Sequence, residues 1–214
     1  MKQLDPLNGL IIGLTGGIAC GKSTVTQLLQ RRGADIIDLD QIGHELLKAN
    51  SPVMKQLLKT FGPEVLDLSG DVNRTKLGKI VFADPLARQQ LNDIVHPEIH
   101  RISRQLAQSK VKNQADSIVV IESPLLIESG GYRSVDYVVL VSATPDQQIV
   151  RLMKRSLEQN KTMTQLDAEK RLAAQMSLKE KMAYADYIVD NQGDLTELGK
   201  QVDQLWLILT NLNS

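Results

Sequence analysis

The stretch with the most evident chemistry is Gly13-Leu14-Thr15-Gly16-Gly17-Ile18-Ala19-Cys20-Gly21-Lys22-Ser23-Thr24. From Gly16 its spacing is G-x-x-x-x-G-K-[ST], a pattern that binds phosphate when it joins an apolar strand to a helix. Both flanks fit: Leu10-Ile11-Ile12 precede it, and Val25, Leu28 and Leu29 space out as one face of a helix over 22–31. The glycines let the backbone curl so that successive N–H groups, from Gly17 through Ile18, Ala19, Cys20 and Gly21 to Thr24, meet an anion. The helix adds the positive end of its dipole. Lys22 would reach the β- and γ-phosphates of a nucleoside triphosphate, and the Ser23 hydroxyl would ligate Mg²⁺.

A second constellation lies one strand further on. Ile36-Ile37 reads as a short buried strand that delivers Asp38 and Asp40 to its carboxyl end, the edge where open α/β sheets bind ligands. One of these carboxylates would take a proton from an attacking hydroxyl and the other would help to hold Mg²⁺; either also suits the cap of a helix starting near Gln41. Glu122, at the end of the apolar strand 117–121, is a third carboxylate for the same edge or an ordinary strand-end residue. Asp40-Gln41-Ile42-Gly43 matches D-x-x-G, but it lies too close to the phosphate loop, and Asn160-Lys161 continues as Thr162-Met163. Guanine recognition is therefore not expected.

The elements that must position these groups give an α/β fold: a P-loop NTPase/kinase-like three-layer arrangement with a five-stranded parallel sheet. The strands are 10–14, 36–37, 117–121, 137–141 and 187–189, the third being β-branched in the manner of a buried parallel strand. The reading is a single P-loop kinase domain. Its core comprises 8–40, 115–145 and 184–214; a helical, acceptor-binding insertion covers 41–114; a small lid covers 146–183. Within the insertion, Phe61-Gly62-Pro63 interrupts the helical pattern, and separate helices are expected over 75–82, 86–93 and 97–109. Arg74, His96 and Arg101 are its candidates for gripping a substrate, although lone arginines on helices are usually solvated. Arg151 and Arg155 share one helix face, as the four-residue spacing requires, and with Lys170, Arg171 and Gln175 would close over nucleotide phosphates or form a solvated face. Thr144-Pro145-Asp146-Gln147 and Asp194-Leu195-Thr196-Glu197 are helix-start signatures.

Composition excludes several classes. The 25 basic and 25 acidic residues cancel, and no run of like charge suggests nucleic-acid binding. Cys20 is the single cysteine, so no internal disulfide forms and a cytoplasmic protein is expected. No apolar segment approaches a membrane span, and the polar, proline-broken opening 1–9 does not read as a signal peptide. The expected partners are small molecules, without nucleic acid or membrane; nothing in the sequence sets an oligomeric state.

Together these residues resemble the dephospho-CoA kinases over nearly the whole chain. The resemblance rests on residues 13–24, Ile37-Asp38-Leu39-Asp40, Phe61-Gly62, Asn73-Arg74 with Leu77 and Val81-Phe82, and Ile94-Val95-His96-Pro97. It continues through Pro124-Leu125-Leu126-Ile127-Glu128, Gln148 with Arg151 and Arg155, Arg171 with Gln175, and Ala185-Asp186 with Asn191. It implies ATP-dependent phosphorylation of the ribose 3′-hydroxyl of dephospho-CoA, the last step of coenzyme A biosynthesis, with ATP and Mg²⁺. It also implies Asp40 as catalytic base, Lys22 and Arg155 on the transferring phosphate, and Asn191 where adenine is held. Asp38, Arg74 and His96 fall on the acceptor side. Ala19-Cys20 stands where Gly-Ser is usual, Leu39 where alanine is common, and His44 where an arginine is often found. Another P-loop small-molecule kinase and a non-catalytic nucleotide-binding regulator are the rival readings, and an acceptor panel separates all three.

Overall fold

A computed structural model describes residues 9–114 and 116–213. The opening 1–9, read above as polar and unlike a signal peptide, lies outside the described residues apart from Gly9. Two compact units divide the chain: 1–37 with 107–214, and 38–106.

The first unit is built on a five-stranded sheet in the order β2-β3-β1-β4-β5. Its strands are β1 (Leu10–Gly16), β2 (Asp35–Asp38), β3 (Ile118–Glu122), β4 (Tyr137–Ser142) and β5 (Tyr187–Asp190). β1 pairs in parallel with β3 and β4, Leu14 opposite Glu122 and Leu14 also opposite Val139, and β4 pairs in parallel with β5. A strand buried on both faces must be apolar throughout. Accordingly Ile12, Leu14, Val119, Val120, Val139, Leu140 and Val141 are fully buried. Helices α1 (Lys22–Arg31) and α9 (Leu195–Leu212) pack against this sheet, with Val25, Leu29, Leu198, Val202, Leu205 and Leu209 in one cluster with strand residues. α9 starts with the Asp194/Glu197 capping box read from the sequence. α6 (Pro145–Glu158) likewise starts with Thr144 and Gln147 capping each other. Beyond it lie α7 (Gln165–Ala173) and α8 (Leu178–Met182), each opened by its own capping box, at Thr164/Asp167 and Ser177/Glu180.

The second unit is helical. It contains α2 (Leu39–Leu46), α3 (Met54–Phe61), α4 (Arg74–Ala83) and most of α5 (Pro85–Asn113), around Leu46, Leu57, Phe61, Val65, Leu77 and Ile94. One expectation is corrected here. In place of separate helices over 86–93 and 97–109, α5 runs unbroken through Pro97. A proline ring inside a helix removes a donor for the carbonyl four residues back, here Asp93. Packing offsets that loss: Leu91, Ile94 and Val95 before Pro97, and Ile99 and Ile102 after it, all join the same apolar cluster.

Candidate active site

The loop between β1 and α1 owes its shape to two backbone positions and to the side chains that hold them. Gly21, the N-cap of α1, has φ 95°, which a side chain rarely tolerates. A Cβ there would also lie 1.9 Å from the Asn191 amide nitrogen. Ala19 also takes a positive φ, 56°. Asn191 is buried and donates from Nδ2 to the Cys20 carbonyl at 2.8 Å. Arg151 reaches the same carbonyl at 3.4 Å and donates to the Asn191 carbonyl at 2.9 Å. Earlier in the loop, Gln175 Oε1 accepts from Ile18 N, and Gln148 Nε2 donates to Ile18 O, both at 2.7 Å. Thr24 N closes the loop onto the Gly21 carbonyl at 3.0 Å.

Lys22 opens α1 and forms an ion pair with Glu122 at the end of β3. The side chains are only 14% and 12% exposed, and the second carboxylate oxygen accepts from Thr26 Oγ1 at 2.6 Å. The sheet register explains the meeting, since Glu122 lies level with Leu14 just before the loop. Glu122 is thus a partner of the loop lysine. Ser23, beside it, is exposed. Burial pushes the Cys20 thiol above its ordinary range, with its backbone surroundings and Lys22 pulling weakly the other way. The thiol is therefore protonated at neutral pH and unreactive.

Two cavities lie in the first unit, and one of them borders the loop. One, about 410 Å³, lies beside Gly17, Cys20, Gln148 and Gln175, with mainly apolar walls from α6, α7 and the Val141–Ala143 strand end. The other, about 390 Å³, is lined by Arg155, Lys161 and Arg171 with Gln159, Thr162 and Met163, and has no carboxylate among its lining residues. Arg155 and Arg171 both line this second cavity. Arg151, by contrast, faces the loop and Asn191.

In the second unit Asp38 accepts from Asp40 N at 2.8 Å and Gln41 N at 3.3 Å, capping α2. Capping and ligand duty thus coexist as possibilities for one carboxylate, because Asp38 has a second oxygen. Asp40 is exposed in the first turn of α2. Arg74 is the first residue of α4, exposed, behind the cap Asn73. His96 is half-buried in α5, its ring 6.2 Å from that of His100. Burial first, then the charge of His100, lowers its pKa, while Asp93 pulls it up. Arg101 is paired with Glu98 and Gln105 on the surface of α5, the solvated role usual for such a residue.

This architecture matches known proteins. A family model described as dephospho-CoA kinase matches residues 10–197. The chain belongs to the dephospho-CoA kinase family. The dephospho-CoA kinase of Symbiobacterium thermophilum is 44% identical over 92% of this chain and 80% of its own. That of Bacillus licheniformis is 41% identical over 92% and 94%. The solved dephospho-CoA kinase from Campylobacter jejuni has a TM-score of 0.70 at 26% identity, covering 96% of this chain and all of its own. A shikimate kinase from Acinetobacter baumannii, 14% identical with a TM-score of 0.51, shares the fold alone.

For a dephospho-CoA kinase, the sequence named the loop, Lys22, Glu122 and Asn191 by position but missed how they touch. Gln148 is apparent only as part of the family pattern and Gln175 otherwise only as a member of the basic segment with Lys170 and Arg171, and nothing local shows that both reach Ile18, 130 and 157 residues away along the chain. Lys181 was also missed. It is 1% exposed and bonds the Pro124 carbonyl and Glu128, both at 2.9 Å. The signal available was Glu128 in Pro124-Leu125-Leu126-Ile127-Glu128, an acid in an otherwise apolar segment.

Proposed function

We propose that the protein transfers the γ-phosphoryl group of ATP to the ribose 3′-hydroxyl of dephospho-CoA, giving coenzyme A and ADP. Membership of the dephospho-CoA kinase family carries the reading. The glycine-shaped loop with Lys22 at the head of α1 supports the donor half. We assign ATP to that loop and to Asn191, and the acceptor to the helical insertion 41–114, with Asp38, Arg74 and His96 on its side. The compactness of 38–106 as a unit supports that assignment.

In the transfer, the Asp40 carboxylate takes the 3′-hydroxyl proton, the ribose oxygen bonds to the γ-phosphorus, and the β–γ bridging bond breaks as ADP leaves. Charge is spread over the oxygens of the transferring group, where loop N–H groups, Lys22 and Arg155 stabilise it. Lys22 must leave Glu122 to do so. Arg155, Lys161 and Arg171 line one pocket and bring positive charge to the segment 146–183, which we assign as a lid that excludes water.

Mg²⁺ prefers hard oxygen donors, keeps several waters and takes only one or two protein ligands beside substrate phosphates. The residues present fit that demand: Ser23 offers a hydroxyl, and Glu122 and Asp38 offer carboxylates. When bound, the ion neutralises phosphate charge. Ser23 would hold it, with Glu122 or Asp38 in support. No helix among the described residues is long and apolar enough to cross a membrane. We place the reaction in the cytoplasm, a reading that rests on the single cysteine of the sequence.

The test is Asp40→Asn under single-turnover conditions. General-base catalysis contributes roughly 10²–10⁴-fold, so transfer should slow by at least about 100-fold while ATP and dephospho-CoA still bind. Transfer at a near-normal rate would remove Asp40 from the role of base.

A further inference from the structure

Ile18 sits at the turn of the phosphate loop with both its main-chain groups held by side chains from distant elements. Its N–H donates to Gln175 Oε1 and its carbonyl accepts from Gln148 Nε2, each at 2.7 Å. We propose that Gln148 and Gln175 are positioning residues that clamp the Ile18 peptide and so hold the loop in the shape that receives nucleotide phosphates. The proposal rests on the donor-site reading above.

Four observations carry it. First, the next residue, Ala19, has φ 56° without being glycine, a conformation that costs about 1–3 kcal/mol and persists only when its surroundings impose it. Second, the far end of the same turn is pinned separately, through Asn191 and Arg151 on the Cys20 carbonyl. Ala19 is thus held from both sides. Third, space for the clamp is built in: a Cβ on Gly17 would lie 2.6 Å from Gln148 Nε2 and 3.8 Å from Gln175 Oε1. Fourth, the carriers are anchored. Gln148 lies in the first turn of α6 behind the Thr144/Gln147 box, and Gln147 in turn donates to the Gln192 carbonyl at 2.8 Å. Gln175 follows α7, its N–H bonded to Leu172 O at 3.1 Å.

The clamp has a polarity. An N–H needs an acceptor and a carbonyl needs a donor, so the two glutamines are not interchangeable in what replaces them. Glutamate at 175 still offers an acceptor to Ile18 N–H. Glutamate at 148 sets a carboxylate against the Ile18 carbonyl, with no proton to share. Both substitutions add the same charge next to the same residue, so their difference isolates the hydrogen bond from the electrostatic penalty on ATP. Because Gln175 lies between α7 and α8, the clamp also ties the position of that helix pair to the donor loop.

The experiment is titration calorimetry of MgATP on wild-type protein, Gln148→Glu, Gln175→Glu and Gln148→Ala, with thermal unfolding of the nucleotide-free proteins alongside. Wild type should bind MgATP, which checks the donor site independently. Gln148→Glu should weaken binding about tenfold more than Gln175→Glu, the net value of one hydrogen bond. Gln148→Ala, which removes the donor and adds no charge, should weaken it by about tenfold against wild type. Equal weakening by the two glutamates, or lowered melting temperatures with unchanged Kd, would make the glutamines merely structural and overturn the clamp. A wild-type protein that binds no MgATP would overturn the donor-site reading and the clamp with it.

Discussion

Replacing Glu122 with alanine separates the resting arrangement of Lys22 from its working one. At 14% and 12% exposure the Lys22–Glu122 pair is mostly shielded from water. Breaking a buried pair by removing one partner costs about 3–5 kcal/mol, because the remaining charge is stranded. The residual water contact here lowers that to about 2 kcal/mol. Thr26 adds little to the loss, since its hydroxyl also has the Lys22 carbonyl at 3.1 Å. In a chain of this size, each kcal/mol moves the melting temperature by roughly 2–4 °C, so ligand-free Glu122→Ala should melt roughly 4–8 °C lower. Nucleotide should narrow that gap. In wild type, ATP has to draw Lys22 away from Glu122, whereas in the variant the ammonium is already uncommitted. With EDTA present to remove Mg²⁺, ATP should bind Glu122→Ala up to about 30-fold more tightly than wild type, the same 2 kcal/mol read as affinity. Thermal unfolding with and without ATP, together with calorimetry, measures both halves. A variant that melts within a degree of wild type and binds ATP no more tightly would refute the shielded pair and the exchange of partners by Lys22.

Further outcomes follow from other contacts. Gly21→Ala puts a side chain at φ 95° and 1.9 Å from the Asn191 amide; it should weaken ATP binding about 5- to 150-fold, from about 1–3 kcal/mol of strain, as read by calorimetry. Lys181→Ala strands Glu128 and the Pro124 carbonyl and should cost about 3–5 kcal/mol in urea unfolding, with Lys181→Met, which keeps the apolar stem, losing less. His96 has a folded-state pKa below its ordinary value, chiefly through burial. Between the two values the unfolded chain binds more protons, so its contribution to stability is present above the ordinary histidine range and is lost as pH falls towards the lowered pKa. The stability difference between pH 7 and pH 5 should therefore be smaller in His96→Gln than in wild type.

How much of this was legible from sequence depended on how local each cause is. The strand read at 10–14 and the helix at 22–31 follow from an apolar run, a glycine-bounded loop and a 3.6-residue stripe, all within a few residues. The capping boxes at Thr144 and Asp194 are four-residue patterns, and those at Thr164 and Ser177 could have been read in the same way. Pro97 misled because a local helix breaker was overridden by tertiary packing on both sides of it. Asp38 carried two compatible meanings, and only backbone geometry showed that it caps α2. The bonds from Gln148 and Gln175 to Ile18, Asn191 to Cys20 and Lys22 to Glu122 span 100 residues or more of chain, and their existence depends on sheet register and helix placement that no short window encodes.

The central claim is tested most directly by incubating the purified protein with ATP, Mg²⁺ and dephospho-CoA, measuring ADP release and identifying the product by mass and phosphorus NMR. One ADP should form per dephospho-CoA consumed, with the new phosphate on the ribose 3′-oxygen, and neither nucleosides nor shikimate should substitute as acceptor. ADP release that does not depend on dephospho-CoA, or faster transfer to another alcohol, would contradict it.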